Sequence, residues 1–355
     1  MSTQSYPHHI PSIPYTDPST KLQTLDLWFP RPLSESSPQN TIWIVYAHGG
    51  AWRDPTQTST CILPTLKNLF GTSSPSKALD RIAGIASLNY RLSPYPSHPT
   101  DPSKPDDPDR NVKHPDHVQD VARAMNWLGK EYGVGRDSTK YEWVGIGHSC
   151  GATLLLQLLS SIGLDRTQSL QAQKLVGGDI PTSSQTPQPD THPNSKSEVV
   201  SLEVKGPKAL VLLEGVYDIP LFLQNHSIEK VGEETSQVYR DIIVGAFGQE
   251  KESEFGNESV WEDVSPSQSW YGEEVWREGS SVLLCHSDED ELVEGGQVES
   301  MVGCLRECGW REETDWNEAR VVEVRKLKGK HDWIWEDGTQ IKGLIEELVE
   351  QLFGD

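Results

Sequence analysis

Gly147-His148-Ser149-Cys150-Gly151 is a stretch whose residue types and spacing could do chemistry. It lies between an apolar run ending at Ile146 and a second apolar run from Ala152, so it has the strand-to-helix context of a nucleophile elbow. Glycines on both sides of the serine suit that turn, because a Cβ at either place would meet neighbouring backbone. A serine hydroxyl is a poor nucleophile near neutral pH. It needs a histidine to take its proton and a carboxylate to hold that histidine in one tautomer. In this kind of site the chain order is serine, acid, histidine. The apolar run Ser281–Cys285 is followed by HSDEDELV, a loop with two candidate acids, Asp290 and Asp288. His331 comes after both, on a loop that follows the run Arg320–Val324. Of the other histidines, His8, His9, His98, His114, His117 and His192 fall in N-terminal or polar loop segments.

Acyl transfer through a tetrahedral intermediate puts negative charge on an oxygen, which one fixed backbone N–H stabilises by about 3–4 kcal/mol. Tyr46-Ala47-His48-Gly49-Gly50-Ala51-Trp52 follows a strong strand pattern and precedes a helical one, and its adjacent glycines leave amides uncovered. Donors are expected among Gly50, Ala51 and Cys150. Gly49 shapes the loop and His48 braces it from behind. Cys150 is expected to contribute its backbone N–H and not its thiol.

The elements that must position these residues are legible as periodicity. Thr41–Ala47, Ile82–Asn89, Tyr141–Ile146, Ala209–Leu213, Ser281–Cys285 and Arg320–Val324 read as central strands, alternating with helical patterns. Val118, Val121, Met125 and Leu128 repeat at helical spacing after a start at Pro115 and Asp116. The pattern is that of an α/β chain, with a mostly parallel central sheet and helices on both faces. One catalytic domain, 1–355, is expected, with polar insertions near 97–111 and 177–197. An acidic, aromatic segment near 218–279, carrying Trp261, Trp270, Tyr271 and Trp276, reads as a lid insertion over a pocket.

Composition excludes several partners. With 31 basic against 53 acidic residues and a net charge of −22, the chain repels phosphate backbones and anionic lipid, so no nucleic acid and no membrane partner is expected. No run reaches the ~18 apolar residues of a spanning helix, and the N-terminus lacks a secretory pattern, which predicts a cytoplasmic protein. Cys61, Cys150, Cys285, Cys304 and Cys308 match no disulfide scaffold or zinc spacing, and ordinary thiols are expected. No metal or organic cofactor is implied. The partner is a small-molecule substrate, and a homodimer stays open.

HGGAW, GHSCG, Asn89–Pro94 (NYRLSP), the HSDEDELV loop and GKHDWIW together make the chain resemble the fungal-type kynurenine formamidases (arylformamidases), in the hormone-sensitive-lipase-like branch of the α/β-hydrolases. The resemblance covers the chain from about Leu25 onward. It implies the α/β-hydrolase fold, a triad of Ser149, Asp290 and His331, and an oxyanion hole on the HGGxW motif His48–Trp52. It also implies hydrolysis of N-formyl-L-kynurenine in tryptophan degradation and NAD synthesis. Cys150 and the two polar insertions depart from the pattern. Two other readings compete: a broad-specificity carboxylesterase using the same residues, and a binding protein on a hydrolase scaffold. An apparently intact triad opposes the second.

Overall fold

A computed structural model describes residues 5–71, 75–137, 140–165, 199–250, 260–312 and 320–354. Within them one sheet holds β1 (His8–Pro14), β2 (Thr24–Phe29), β3 (Ile42–Ala47), β4 (Ile82–Leu88), β5 (Trp143–His148), β6 (Ala209–Leu213), β7 (Ser281–Ser287) and β8 (Val321–Leu327). Their spatial order is β1-β2-β4-β3-β5-β6-β7-β8. β1 and β2 pair antiparallel, β2 joins β4 antiparallel, and every later neighbour is parallel. The six strands read from sequence are β3 to β8, within a few residues at each end.

Helices cover both faces, as a parallel sheet requires. They are α1 (Leu63–Leu69), α2 (Asp116–Tyr132), α3 (Cys150–Ser160), α4 (Ile219–Asn225), α5 (Ile228–Val231), α6 (Glu233–Phe247), α7 (Val260–Asp263), α8 (Gly296–Glu307), α9 (Trp333–Asp337) and α10 (Thr339–Phe353). Alternation along β3 shows how the faces divide. Trp43, Val45 and Ala47 join a core with Val118, Met125, Leu155 and Leu158, whereas Ile42, Ile44 and Tyr46 join one with Leu66, Ile341 and Ile345. Every residue of α3 is buried, which explains its apolar sequence all round. Burying each such leucine or isoleucine contributes about 1.5–3 kcal/mol. α2 ends at Gly133, whose φ of 77° closes the helix in the left-handed conformation.

β1 and β2 were not expected. HHIPSIP carries two prolines and reads as loop, yet prolines are tolerated on an edge strand, and here β1 lies at the sheet edge. His9 therefore sits on a strand, stacked on Trp28 at 4.5 Å and 3.2 Å from Asp26. His117 likewise belongs to α2 and not to a loop; it is buried, with Nε2 3.0 Å from Ser93 Oγ.

The insertion near 97–111 has no helix or strand, but its end is anchored: buried Asp109 accepts the amides of Lys21 and Leu22. The insertion near 177–197 lies outside the described residues. The segment 218–279 divides. Phe247, the last residue of α6, packs edge to face on Trp52 at 5.0 Å. Tyr271 and Trp276 run to the opposite end of the sheet, where Trp276 Nε1–H donates to Pro207 C=O just before β6. The reason is topological, since the chain must return to that end to start β7 parallel to β6. These two aromatics thus depart from the expected lid, and Trp270 is half-exposed. Among the described residues no helix is long and apolar enough to cross a membrane.

Candidate active site

Because β3 and β5 to β8 all point one way, the loops after them gather at one edge of the sheet, where α/β proteins place their sites. Ser149 follows β5 directly and precedes α3 without a spacer, a tighter junction than the run boundaries at Ile146 and Ala152 suggest. Its φ of 52° is in the left-handed region, a strain of about 1–3 kcal/mol for a non-glycine residue that the surrounding packing must hold. A Cβ at Gly151 would overlap the carbonyl oxygens of Ala47 and His48, so only glycine lets α3 start this close to β3.

The acid and the base meet as a pair. His331 Nδ1 and Asp290 Oδ2 are 2.8 Å apart, and both side chains are buried. Asp290 Oδ1 accepts the amides of Leu292 at 2.8 Å and Val293 at 3.0 Å. Burial alone would raise the Asp290 pKa, but the hydrogen bond and charge of His331 outweigh it and hold the carboxyl below its usual range. For His331, burial works against the charged form. The bond to Asp290 and its negative charge prevail and raise the imidazole above its ordinary value. An ionised Asp290 fixes the ring proton on Nδ1, which leaves Nε2 as an acceptor. Among the described residues Ser149 Oγ makes no hydrogen bond to the ring, a contact that often tightens only with substrate. Asp288, the alternative acid, is 72% exposed on its side chain and pairs with Lys326 at 2.5 Å, away from His331.

The three loops are tied together. His148 Nε2 lies 3.1 Å from the carbonyl oxygen of His331, and burial lowers His148 to a pKa of about 3, so the neutral ring donates that bond. Ser287 Oγ–H donates to Gly329 C=O at 2.6 Å, joining the acid loop to the histidine loop. Gln57 Nε2–H donates to Asp332 Oδ1 at 3.1 Å, joining the loop after β3 to the histidine loop.

In that first loop Gly50, Ala51 and Trp52 have φ of 96°, 50° and 59°. A Cβ on Gly49 would stand 2.5 Å from His148 Nδ1 and 3.1 Å from Ser149 Cβ, which shows how closely the loop passes the serine. His48 stacks on Tyr90 with ring centres 4.4 Å apart, and the Tyr90 hydroxyl donates to His48 C=O at 2.8 Å and Gly49 C=O at 3.2 Å. Burial lowers His48 to about 4, so it braces the loop as a neutral ring. Cys150 has two roles. Its amide opens α3, where no intrahelical acceptor exists for it. Its sulfur accepts the Trp52 amide at 3.2 Å and lies 3.5 Å from the Tyr90 hydroxyl. The thiol thus takes part in holding the loop. Trp52 itself is only 1% exposed, wedged between this loop and Phe247.

Two residues to which the sequence reading gave no role of their own complete the edge. Glu214 follows β6 and is wholly buried, and His286, on β7, has Nδ1 2.6 Å from Glu214 Oε2. The available signal was a lone glutamate after the apolar run ALVLL, at the same edge as the other loops. Among the described residues two groups could offer three metal ligands, His148 with His331 and Asp332, and Glu214 with His286 and Asp290. Their hydrogen bonds to one another and to His331 C=O already engage most of these donor atoms.

No protein-family model matches the chain. It is 28% identical to a kynurenine formamidase-like hydrolase of Fusarium equiseti, over 97% of this chain and 95% of that one. It is 29% identical to a kynurenine formamidase of Aspergillus versicolor, over 94% and 97%. Among solved structures, an esterase B from Lactobacillus rhamnosis superposes with a TM-score of 0.54 at 14% identity, over 98% of this chain and 90% of that one. A carbohydrate esterase from gut microbiota gives 0.53 at 14% identity, over 98% of both. At such identity the solved structures show the fold alone. The chain has the α/β-hydrolase fold and is similar to fungal kynurenine formamidases along almost its whole length.

Proposed function

We propose that the chain hydrolyses N-formyl-L-kynurenine to L-kynurenine and formate, with Ser149, Asp290 and His331 as its triad. The observation that carries this reading is the near full-length similarity to relatives named kynurenine formamidases. The bonded Asp290–His331 pair at the edge that also carries Ser149 supports it.

Ser149 Oγ attacks the formyl carbon while His331 Nε2 takes its proton, and the carbonyl π pair moves to oxygen. The amides of Gly50, Ala51 and Cys150 hold that oxyanion. When the carbon–nitrogen bond breaks, His331 returns the proton to the departing aromatic amine, leaving a formyl ester on Ser149. Water then adds with His331 as base, formate leaves, and the serine regains its proton. Every step uses groups of the chain itself. Only hydrogen sits on the acyl carbon, so the acyl side of the site can be small. The leaving group carries an aromatic ring and an amino-acid head, which need room. The connection from α4 to α6, which reaches Trp52 through Phe247, is the segment suited to act as a lid on that side. This activity would place the protein in tryptophan degradation and NAD synthesis.

Comparing kcat/KM for N-formyl-L-kynurenine, its N-acetyl analogue and p-nitrophenyl butyrate tests the reading. The formyl substrate should exceed the acetyl analogue by more than about tenfold. Formamide hydrolysis no faster than that of the butyrate ester would replace the reading with a carboxylesterase. Ser149→Ala should abolish both turnover and labelling by a fluorophosphonate.

A further inference from the structure

The edge that holds the acid and the base contains a third carboxyl that the proposed cycle leaves unused. Glu214 comes directly after β6, with a left-handed φ of 50° that a glutamate rarely adopts, so its direction is imposed by the structure. Its side chain has no exposure. Its oxygens accept the Ser287 amide at 3.0 and 3.3 Å, and Oε2 lies 2.6 Å from His286 Nδ1. One oxygen each of Glu214 and Asp290 and a ring nitrogen of His286 lie within 4.8 Å of one another.

Two buried carboxyl groups this close do not both ionise, and a proton on one lets it donate to the other. Asp290 must be the ionised partner, because it accepts Nδ1–H of His331 and two amides. The proton therefore resides on Glu214, and His286 Nδ1–H donates to its other oxygen. We propose that Glu214 is a positioning residue for the acid of the triad: as a carboxylic acid it donates to Asp290, with His286 holding it from behind. Asp290, Glu214 and His286 then form one unit behind His331. This rests on the triad reading above.

The effect on His331 is electrostatic as well as geometric. With Glu214 protonated, the imidazole faces the charges of Asp290 and Asp332; with Glu214 ionised a further negative charge is added and the ring holds its proton more strongly, which weakens it as a base. Burial first, and then the neighbouring Asp290, raises Glu214 to a pKa of about 7, against the opposing pull of His286. The titratable groups around the unit include Cys285, Tyr217 and Tyr239, all pushed up by burial, His148, lowered by burial, Asp332 beside His331, Glu291, which accepts the His331 amide, and the exposed Asp288.

The test uses Glu214→Gln, which keeps a donor toward Asp290 but cannot ionise, and Glu214→Leu, which removes it. Full pH profiles of kcat and KM for N-formyl-L-kynurenine, together with the proton resonance of His331 Nδ1–H, are the readouts. Leu should lower kcat by about tenfold or more with KM little changed, the scale of losing a group that orients a catalytic partner. It should also shift the Nδ1–H resonance. Gln should retain kcat near neutrality within a few-fold and lose one ionisation from the profile. Equal loss in both variants, or wild-type behaviour in both, would overturn the proposal. If the Leu variant does not fold, the Gln profile decides alone: an unchanged set of ionisations refutes. Ser149→Ala, measured alongside, separates the two levels. If it turns over formamide normally, the triad reading fails and takes this proposal with it; if it is inactive while both Glu214 variants match wild type, the positioning role alone fails.

Discussion

Replacing Asp290 by asparagine changes one atom, yet the surrounding hydrogen bonds dictate a large effect. Oδ1 accepts two amide donors, Leu292 and Val293, so the carbonyl oxygen of an asparagine must occupy that place. Its NH2 group is then forced to the Oδ2 position, 2.8 Å from His331 Nδ1. That group donates where the carboxylate accepted. His331 answers by moving its proton to Nε2, the nitrogen that must be bare to receive the serine proton. A triad held in the wrong tautomer loses about 10⁴ in kcat. At 1.36 kcal/mol per decade this is about 5 kcal/mol of transition-state stabilisation. KM should change little, because the lost interaction belongs to the transition state. Steady-state kinetics on Asp290→Asn, with thermal unfolding to show an intact fold, provides the assay. Asp288→Asn is the control, since its exposed pair with Lys326 is worth about 0–1 kcal/mol and touches no catalytic group. A loss below tenfold in Asp290→Asn, or a comparable loss in Asp288→Asn, would refute the reasoning.

Cys150→Ala removes the sulfur that accepts the Trp52 amide, and should lower kcat by about fivefold, in line with about 1 kcal/mol for one hydrogen bond. Cys150→Ser should recover part of that loss, and equal kcat in Cys150→Ala and wild type would show that the sulfur does not hold the loop. The raised pKa of His331 sets the acid limb of activity: the base must be neutral, so kcat/KM should fall as pH drops through a value above the ordinary 6.5. An inflection at or below that value would contradict the Asp290 pairing. Buried Asp120 receives Arg91, Arg123 and Gln23, and Asp120→Ala would strand them, costing about 3–5 kcal/mol. Urea unfolding measures it, and a loss under 1 kcal/mol would show that those partners find water.

What could be read from sequence is what local pattern encodes. Parallel strands buried on both faces are continuous apolar runs, so β3 to β7 announce themselves, while β8, at the sheet edge, shows only a short valine-rich start; the elbow is recognisable because a sharp turn leaves glycines at fixed spacing. Loop order was enough to favour His331, and the likeness of HSDEDELV to the family's acid loop favoured Asp290; the fold brings the two to 2.8 Å. β1 escaped because its prolines mask an edge strand that needs only one partner. Glu214 and His286 escaped for a different reason. Each is a common residue in an ordinary context, and what makes them notable is a contact across β6 and β7 that no spacing records. The sulfur of Cys150 is the same case, since its partner Trp52 is 98 residues away. The lid aromatics were misjudged because composition shows that a segment is apolar without showing which end of the sheet it returns to.

The loop ties also set an order of events in folding. Ser149 and its amide loop come from β3 and β5, while acid and base arrive on β7 and β8, and the Gln57–Asp332 bond spans 275 residues. Parallel pairing over such separations is slow, because chain entropy must be lost before contacts return it. A refolding or newly made chain would thus carry its serine in place for some time while remaining chemically silent. Helix content should recover before hydrolysis does, and a reactive-serine probe added during refolding would report the docking of the last two strands.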